Sequence, residues 1–91
     1  MVKTVRIKIS GQVQGVFFRK YIADEAKKAG VKGHVRNLDS GDVEVVAEGD
    51  PEQIESVIAF CKKGAPHSVI KNVDVQDMNH IGFDDFKILE I

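Results

Sequence analysis

The chain has one cysteine in 91 residues, which excludes an intramolecular disulfide. A reducing, cytoplasmic setting is the natural expectation for such a chain. An excess of one charge is missing as well, because the formal net charge is −1. Nucleic-acid binding leaves a basic excess, so no nucleic-acid partner is expected. No apolar run approaches the length of a membrane span, so no membrane is expected either. The first residues alternate charged and apolar side chains and lack the apolar core of a signal peptide. His34, His67 and His80 are scattered, without the pair spacing of a metal site. The acidic residues Asp74, Asp77, Asp84 and Asp85 lack the spacing of a calcium loop and read as solvated surface. There is no repeat, linker or low-complexity stretch.

What is present suits a folded domain. Hydrophobic residues make up 43% of the chain and charged residues 30%. The length predicts one domain, residues 1–91, around one small core. Val5, Ile7 and Ile9 alternate with Thr4, Arg6 and Lys8, which is the pattern of a half-buried strand. After a glycine-containing loop, Phe18, Ile22, Ala26 and Ala29 fall on one helical face. Asp24 and Lys28 form an acid-before-base i,i+4 pair on the other side, and Gly30 ends the helix.

A second strand over 31–38 puts Val31, Gly33, Val35 and Asn37 on one face. The turn Asp39-Ser-Gly41 joins it to a third strand lined by Val43, Val45 and Ala47, an antiparallel hairpin. Asp50-Pro-Glu-Gln53 is a helix start with an N-cap, a proline at N1 and a capping-box partner. Ile54, Val57, Ile58 and Cys61 follow in one stripe, where Cys61 reads as a small core hydrophobe. Gly64 and Pro66 stop that helix. A fourth strand carries Val69, Val73 and Val75 in phase, and residues 86–91 read as a short last strand.

The order is βαββαβ plus a short C-terminal strand. Right-handed crossovers put both helices on one face of a mostly antiparallel sheet. This is the α+β, ferredoxin-like split β-α-β sandwich. The exposed faces of the central strands would carry Thr4, Arg6, Lys8, Glu44 and Val46, not the stacking aromatics of an RNA-binding sheet.

Two segments carry possible chemistry. In Gly11-Gln-Val-Gln-Gly-Val-Phe-Phe-Arg19, glycines permit a tight turn with uncovered amides. The helix start adds unpaired N–H groups and positive dipole, and Arg19 adds a planar fork of donors. Together these make a cradle for a small phosphate-like anion. Most short glycine turns are plain connections, and by composition alone that plain reading is the favoured one. In Gly33-His-Val-Arg-Asn37, the asparagine is able to orient a water, but from the residues alone turn chemistry is the favoured reading.

Taken together, the two segments closely resemble the acylphosphatase family. The resemblance extends to Gly41-Asp-Val-Glu-Val-Val-Ala-Glu-Gly49, to the Gly64-Ala-Pro66 break and to Phe86-x-Ile88, nearly the whole chain in order. It implies hydrolysis of the carboxyl-phosphate bond of small acyl phosphates, without metal or cofactor. It implies catalytic roles for Arg19 and Asn37. It also implies a phosphate loop of Gln14, Gly15, Val16, Phe17, Phe18 and Arg19, working mainly through backbone amides. Inorganic phosphate would be product and inhibitor, and the enzyme a monomer. The family commonly has an aromatic residue where this chain has His34, and often a second proline near Pro66. The alternative is a non-catalytic anion-sensing or regulatory module of the same fold.

Overall fold

The computed structural model describes residues 1–13 and 16–89. Among these, the alternating segment forms β1 (Lys3–Gln12) and the first amphipathic stretch forms α1 (Val16–Ala29). The hairpin is β2 (Lys32–Asn37) and β3 (Val43–Gly49), followed by α2 (Pro51–Lys63). The chain then adds β4 (Val69–Met78) and β5 (Phe86–Ile88). The sheet order is β4-β1-β3-β2-β5. All neighbours are antiparallel except β2 and β5. Each helix therefore bridges two parallel strands with a third between them, as expected. The expected final strand ends at Ile88; Glu90 and Ile91 lie outside the described residues.

The core follows from the two periodicities. Val5, Ile7 and Ile9 of β1 and Val43, Val45 and Ala47 of β3 are fully buried. Phe18, Ile22 and Ala26 of α1 and Ile54, Val57 and Cys61 of α2 pack onto them. Burial pushes the Cys61 thiol up to about 12, so it stays protonated and inert.

Local capping explains the helix ends. Gln53 Oε1 accepts from the Asp50 backbone N–H at 2.8 Å at the start of α2. At the end of α1, Val31 N–H bonds to Ala26 O and Gly30 N–H to Lys27 O, both at 3.1 Å. That is the double bond pattern of a Schellman stop. The salt-bridge expectation on α1 is corrected. Asp24 pairs with Lys20 at 2.9 Å, and the Lys20 bond holds its carboxyl below the usual range. Lys28 instead approaches Glu25 at 3.8 Å. Both partners of Asp24 are one turn away, and spacing alone does not choose between them.

The phase of β4 is also corrected. Ile70 and Val73 pack on the core, whereas Val69 is exposed. The register with β1 slips between Ser10 and Gly11: Ser10 pairs with Asn72, but Gly11 pairs with Ile70. One extra residue, Lys71, changes which face the following side chains occupy. Val75 faces Ile7 across the pair, but β4 is an edge strand and leaves it partly exposed.

The outer face of the sheet differs most from expectation. Thr4, Glu44, Val46 and Glu48 are not exposed; Glu44 and Glu48 retain only 5% and 6% of their surface. Glu44 sits under two arginines, with Arg6 Nε at 2.6 Å and Arg36 Nε at 2.7 Å. Burial would push its carboxyl up, but those bonds outweigh it and hold it below the usual range. Glu48 is covered by the segment before β5. Its carboxylate accepts from Thr4 Oγ1 at 2.6 Å. It also accepts from the backbone N–H groups of Ile81, Gly82 and Phe83 at 2.8–3.0 Å.

These bonds, the Thr4 hydroxyl foremost, lower the Glu48 carboxyl to about 2 against the opposing effect of burial. The depressed value fixes the sign of the pH dependence. The stabilisation is fully present above the ordinary glutamate range and is lost as pH falls toward 2. Glu48→Gln is expected to cost about 1–3 kcal/mol at neutral pH, as bonds to a charge are weakened. Urea midpoints measured at neutral pH and near pH 2 check this. The gap between wild type and variant should narrow in acid; an equal gap at both would show that the charge contributes nothing.

Candidate active site

Three elements converge at the end of the sheet where β1 runs into α1. Gly11 lies within β1, not in the loop that follows, which corrects the expectation for the first glycine. Its φ is +134°, and a Cβ there would lie 1.9 Å from the Val69 carbonyl oxygen. Glycine at 11 is thus required by the close approach of β4 at the bulge. Of the expected loop, Gln14 and Gly15 lie outside the described residues.

Val16 begins α1 and is 55% exposed; Phe17 is 85% exposed. Phe18 is buried and anchors the turn to the core. N–H groups in this first turn have no acceptor within the helix, and no acidic side chain occupies it. Arg19 is half-buried, and its Nη1 approaches the Leu89 carbonyl at 3.4 Å. Leu89 N–H in turn donates to Val35 O at 2.9 Å. The guanidinium is therefore drawn toward β2 and β5, on the helix-bearing side of the sheet.

Asn37 closes β2. It pairs with Val43, and Val43 pairs with Ile9 of β1. The three stand in one row, on the face that carries the buried Ile9 and Val43. Two strand spacings separate Asn37 from β1, about 10 Å. The pairing puts Asn37 at the same sheet end as the start of α1. Asn37 Oδ1 is buried and has no hydrogen-bond partner among the described residues. The adjacent turn is closed without it, by Leu38 N–H to Asp42 O at 2.8 Å and Gly41 N–H to Leu38 O at 3.0 Å. The turn-chemistry account of Asn37 thus loses its support.

The rest of the Gly33–Asn37 segment is structural. Gly33 has φ +142°, and a Cβ would sit 1.8 Å from the Val46 carbonyl oxygen. Arg36 bonds Glu44 on the opposite face. His34 is on that face too, with Nε2 3.5 Å from Glu44 and its ring edge-on to Phe83 at 5.6 Å. The residue that replaces the family's usual aromatic therefore packs behind the sheet, away from Asn37. Sequence reasoning missed Glu48 and the Leu89 carbonyl, and no local signal marks either one.

Among the described residues, no three His, Cys, Asp or Glu side chains converge as a metal site. No helix among them is long and apolar enough to cross a membrane.

The fold defines the class: a small α+β sandwich of ferredoxin-like topology with a helix start open at one sheet end. Comparison with known proteins gives the family. The acylphosphatase family model matches residues 5–88. An acylphosphatase of Syntrophus aciditrophicus is 41% identical over 90 residues, covering 98% of this chain and 94% of that protein. One of Methylococcus capsulatus is 41% identical over 88 residues, covering 96% of each. The crystal structure of acylphosphatase from Bacillus subtilis superimposes with a TM-score of 0.92 at 35% identity, covering 99% of this chain and 100% of that one. The chain belongs to the acylphosphatase family.

Proposed function

We propose that this acylphosphatase-family enzyme hydrolyses small acyl phosphates at the α1 start, using Arg19 and Asn37. The observation that carries the reading is the buried Asn37 Oδ1, without a donor among the described residues, at the same sheet end as the helix start. A buried acceptor without a donor is costly and rare, so it points to a role in a bound state. Amides of the loop from Gln14 to Arg19, with the Arg19 fork, neutralise the phosphoryl oxygens. Asn37 Oδ1 accepts a hydrogen bond from a water and aims its oxygen at phosphorus.

The carboxylate is already a good leaving group, so positioning and charge stabilisation suffice. The water oxygen bonds to phosphorus. The phosphorus–oxygen bond to the acyl group breaks, and its electron pair leaves on the carboxylate. A phosphoryl oxygen takes the water's proton. His34 is the histidine nearest in sequence to Asn37, but it lies behind the sheet. The same reading makes the enzyme a metal-independent, cofactor-free monomer. The buried, protonated Cys61 suits a reducing cytoplasm.

Benzoyl phosphate hydrolysis in the presence of EDTA tests the proposal. Turnover should be undiminished by chelation, and inorganic phosphate should inhibit it competitively. Phosphate binding without turnover would instead establish the sensing module. Dependence on added magnesium would overturn the metal-free mechanism.

A further inference from the structure

Residues 79–85 carry the chain from β4 to β5, which lie at opposite edges of the sheet. The crossing covers four strand spacings, about 19 Å. A segment of this length, fully extended, reaches about 26 Å, so little slack remains. The crossing backbone lies outside the strand ladders, so its N–H groups need other acceptors. Glu48, on the central strand β3, supplies them. Its carboxylate takes the N–H groups of Ile81, Gly82 and Phe83. Thr4 Oγ1 of β1 donates to the same carboxylate, and His80 Nδ1 lies 3.2 Å from it. We propose that Glu48 is a remote positioning residue for the active site: it latches the crossing segment and, through β5, sets the place of Arg19. The inference rests on the role given to Arg19 above.

β5 connects the latch to the site. It runs parallel to β2, from Phe86 beside Gly33 to Ile88 beside Val35. Gly33 pairs with Ala47, the neighbour of Glu48, so β5 starts at the latch and runs toward the sheet end that holds Asn37. Gly33 N–H bonds to Asp85 O at 2.9 Å where the strand begins, and Leu89 N–H to Val35 O at 2.9 Å just past its end. Leu89 O is the group that Arg19 Nη1 approaches at 3.4 Å. Movement of Leu89 therefore moves an acceptor of the Arg19 fork. Phe86 is buried in the same core as Phe18 and Ile22, so β5 also backs the helix that carries Arg19. Three residues paired on one side are a weak hold for an edge strand. The latch fixes the segment that precedes them. A direct field of the Glu48 charge is a poor alternative. From Glu48 to Val43, which stands beside Asn37, the strand runs about 17 Å. That exceeds the Debye length of about 10 Å at 0.1 M salt.

Glu48→Ala, Glu48→Gln and Ile54→Val test the latch, each assayed at a temperature where it is fully folded. The readouts are kcat/KM for benzoyl phosphate, the inhibition constant of inorganic phosphate, and amide hydrogen exchange. Glu48→Ala should lower kcat/KM and raise the inhibition constant by a similar factor, since both read the Arg19 fork. The factor should be roughly 2- to 30-fold, the scale on which remote residues couple to a site. Exchange at the Leu89 and Gly33 N–H groups should quicken by a larger factor than at Val57 in α2. Glu48→Gln keeps an acceptor oxygen without the charge, so its losses should be smaller. Ile54→Val loosens the core at α2, away from the latch, and should leave both kinetic constants unchanged. If Glu48→Ala does not fold, Glu48→Gln carries the test by the same readouts. Wild-type constants in a folded Glu48 variant overturn the latch and leave the enzyme reading intact. So do losses without the faster exchange at Leu89, or losses matched in Ile54→Val. Equal losses in the alanine and glutamine variants would assign the effect to the charge and overturn the latch as well. A wild type that hydrolyses no benzoyl phosphate overturns the acylphosphatase reading, and the positioning role with it.

Discussion

Arg19→Ala is expected to abolish turnover and phosphate inhibition together. The guanidinium sits in the first turn of α1, half-buried and directed toward the strand that carries Asn37. Loss of a charge-assisted fork to a bound anion should cost about 2–5 kcal/mol. By the usual conversion this is roughly 30-fold to several thousand-fold in kcat/KM. Arg19→Lys keeps the charge but not the planar fork, so it should also be badly impaired.

Stability should respond differently. A cation in the first helical turn opposes the helix dipole, and alanine is the better helix former. The 3.4 Å approach to Leu89 is a long contact. Activity is expected to disappear in a protein that still folds, which a melting curve on the variant checks. A folded Arg19→Ala protein with near-normal kcat/KM for benzoyl phosphate would remove Arg19 from the site.

Asn37→Ala is expected to lower kcat by about 10²-fold or more, the typical loss for one positioning or transition-state group. Phosphate affinity should stay close to wild type, because in the proposed mechanism the loop and Arg19, not β2, hold the phosphoryl group. Asn37 Oδ1 is buried without a donor among the described residues, so its removal also relieves a desolvation cost. The melting temperature should not fall. A turn-forming asparagine makes the opposite forecast: a lower melting temperature with kcat spared. Measuring kcat, the phosphate inhibition constant and the melting temperature on this one variant separates the two. A stable variant that turns over at the wild-type rate would leave the buried oxygen without a catalytic role.

Together the two variants divide the site into a part that binds and a part that activates. Arg19→Ala should lose both properties, whereas Asn37→Ala should lose only the second. That asymmetry follows from the placement of the residues on different elements. Arg19 is on α1, continuous with the loop, and Asn37 is on β2 with β3 between it and β1.

Elements governed by short-range physics are legible from the residues. Alternation at Val5, Ile7 and Ile9 specifies β1 and its buried face. Asp50, Pro51 and Gln53 specify the start of α2, because capping involves residues three apart. Gly30 specifies the end of α1 for the same reason. The two motifs name Arg19 and Asn37 through family resemblance, with nothing in the spacing to say that they share one end of the sheet.

The tertiary structure decided what depends on register and strand order. Asn37 stands at the same sheet end as the helix start only because β3 pairs with both β2 and β1, in a row from Asn37 through Val43 to Ile9. Val69 and Ile70 exchange faces because one bulge shifts the pairing, and Gly11 is needed there by the Val69 carbonyl rather than by the loop. The outer face is buried because Arg6 and Arg36, from strands on either side, close over Glu44, while residues 81–83 bond to Glu48. Asp24 chose Lys20 over Lys28, although both are four residues away. Local propensity sees a few neighbours along the chain, whereas these contacts join residues up to 70 positions apart, as at Arg19 and Leu89. Pairing register fixes which of them come together, and register is set by the packing of the whole sheet.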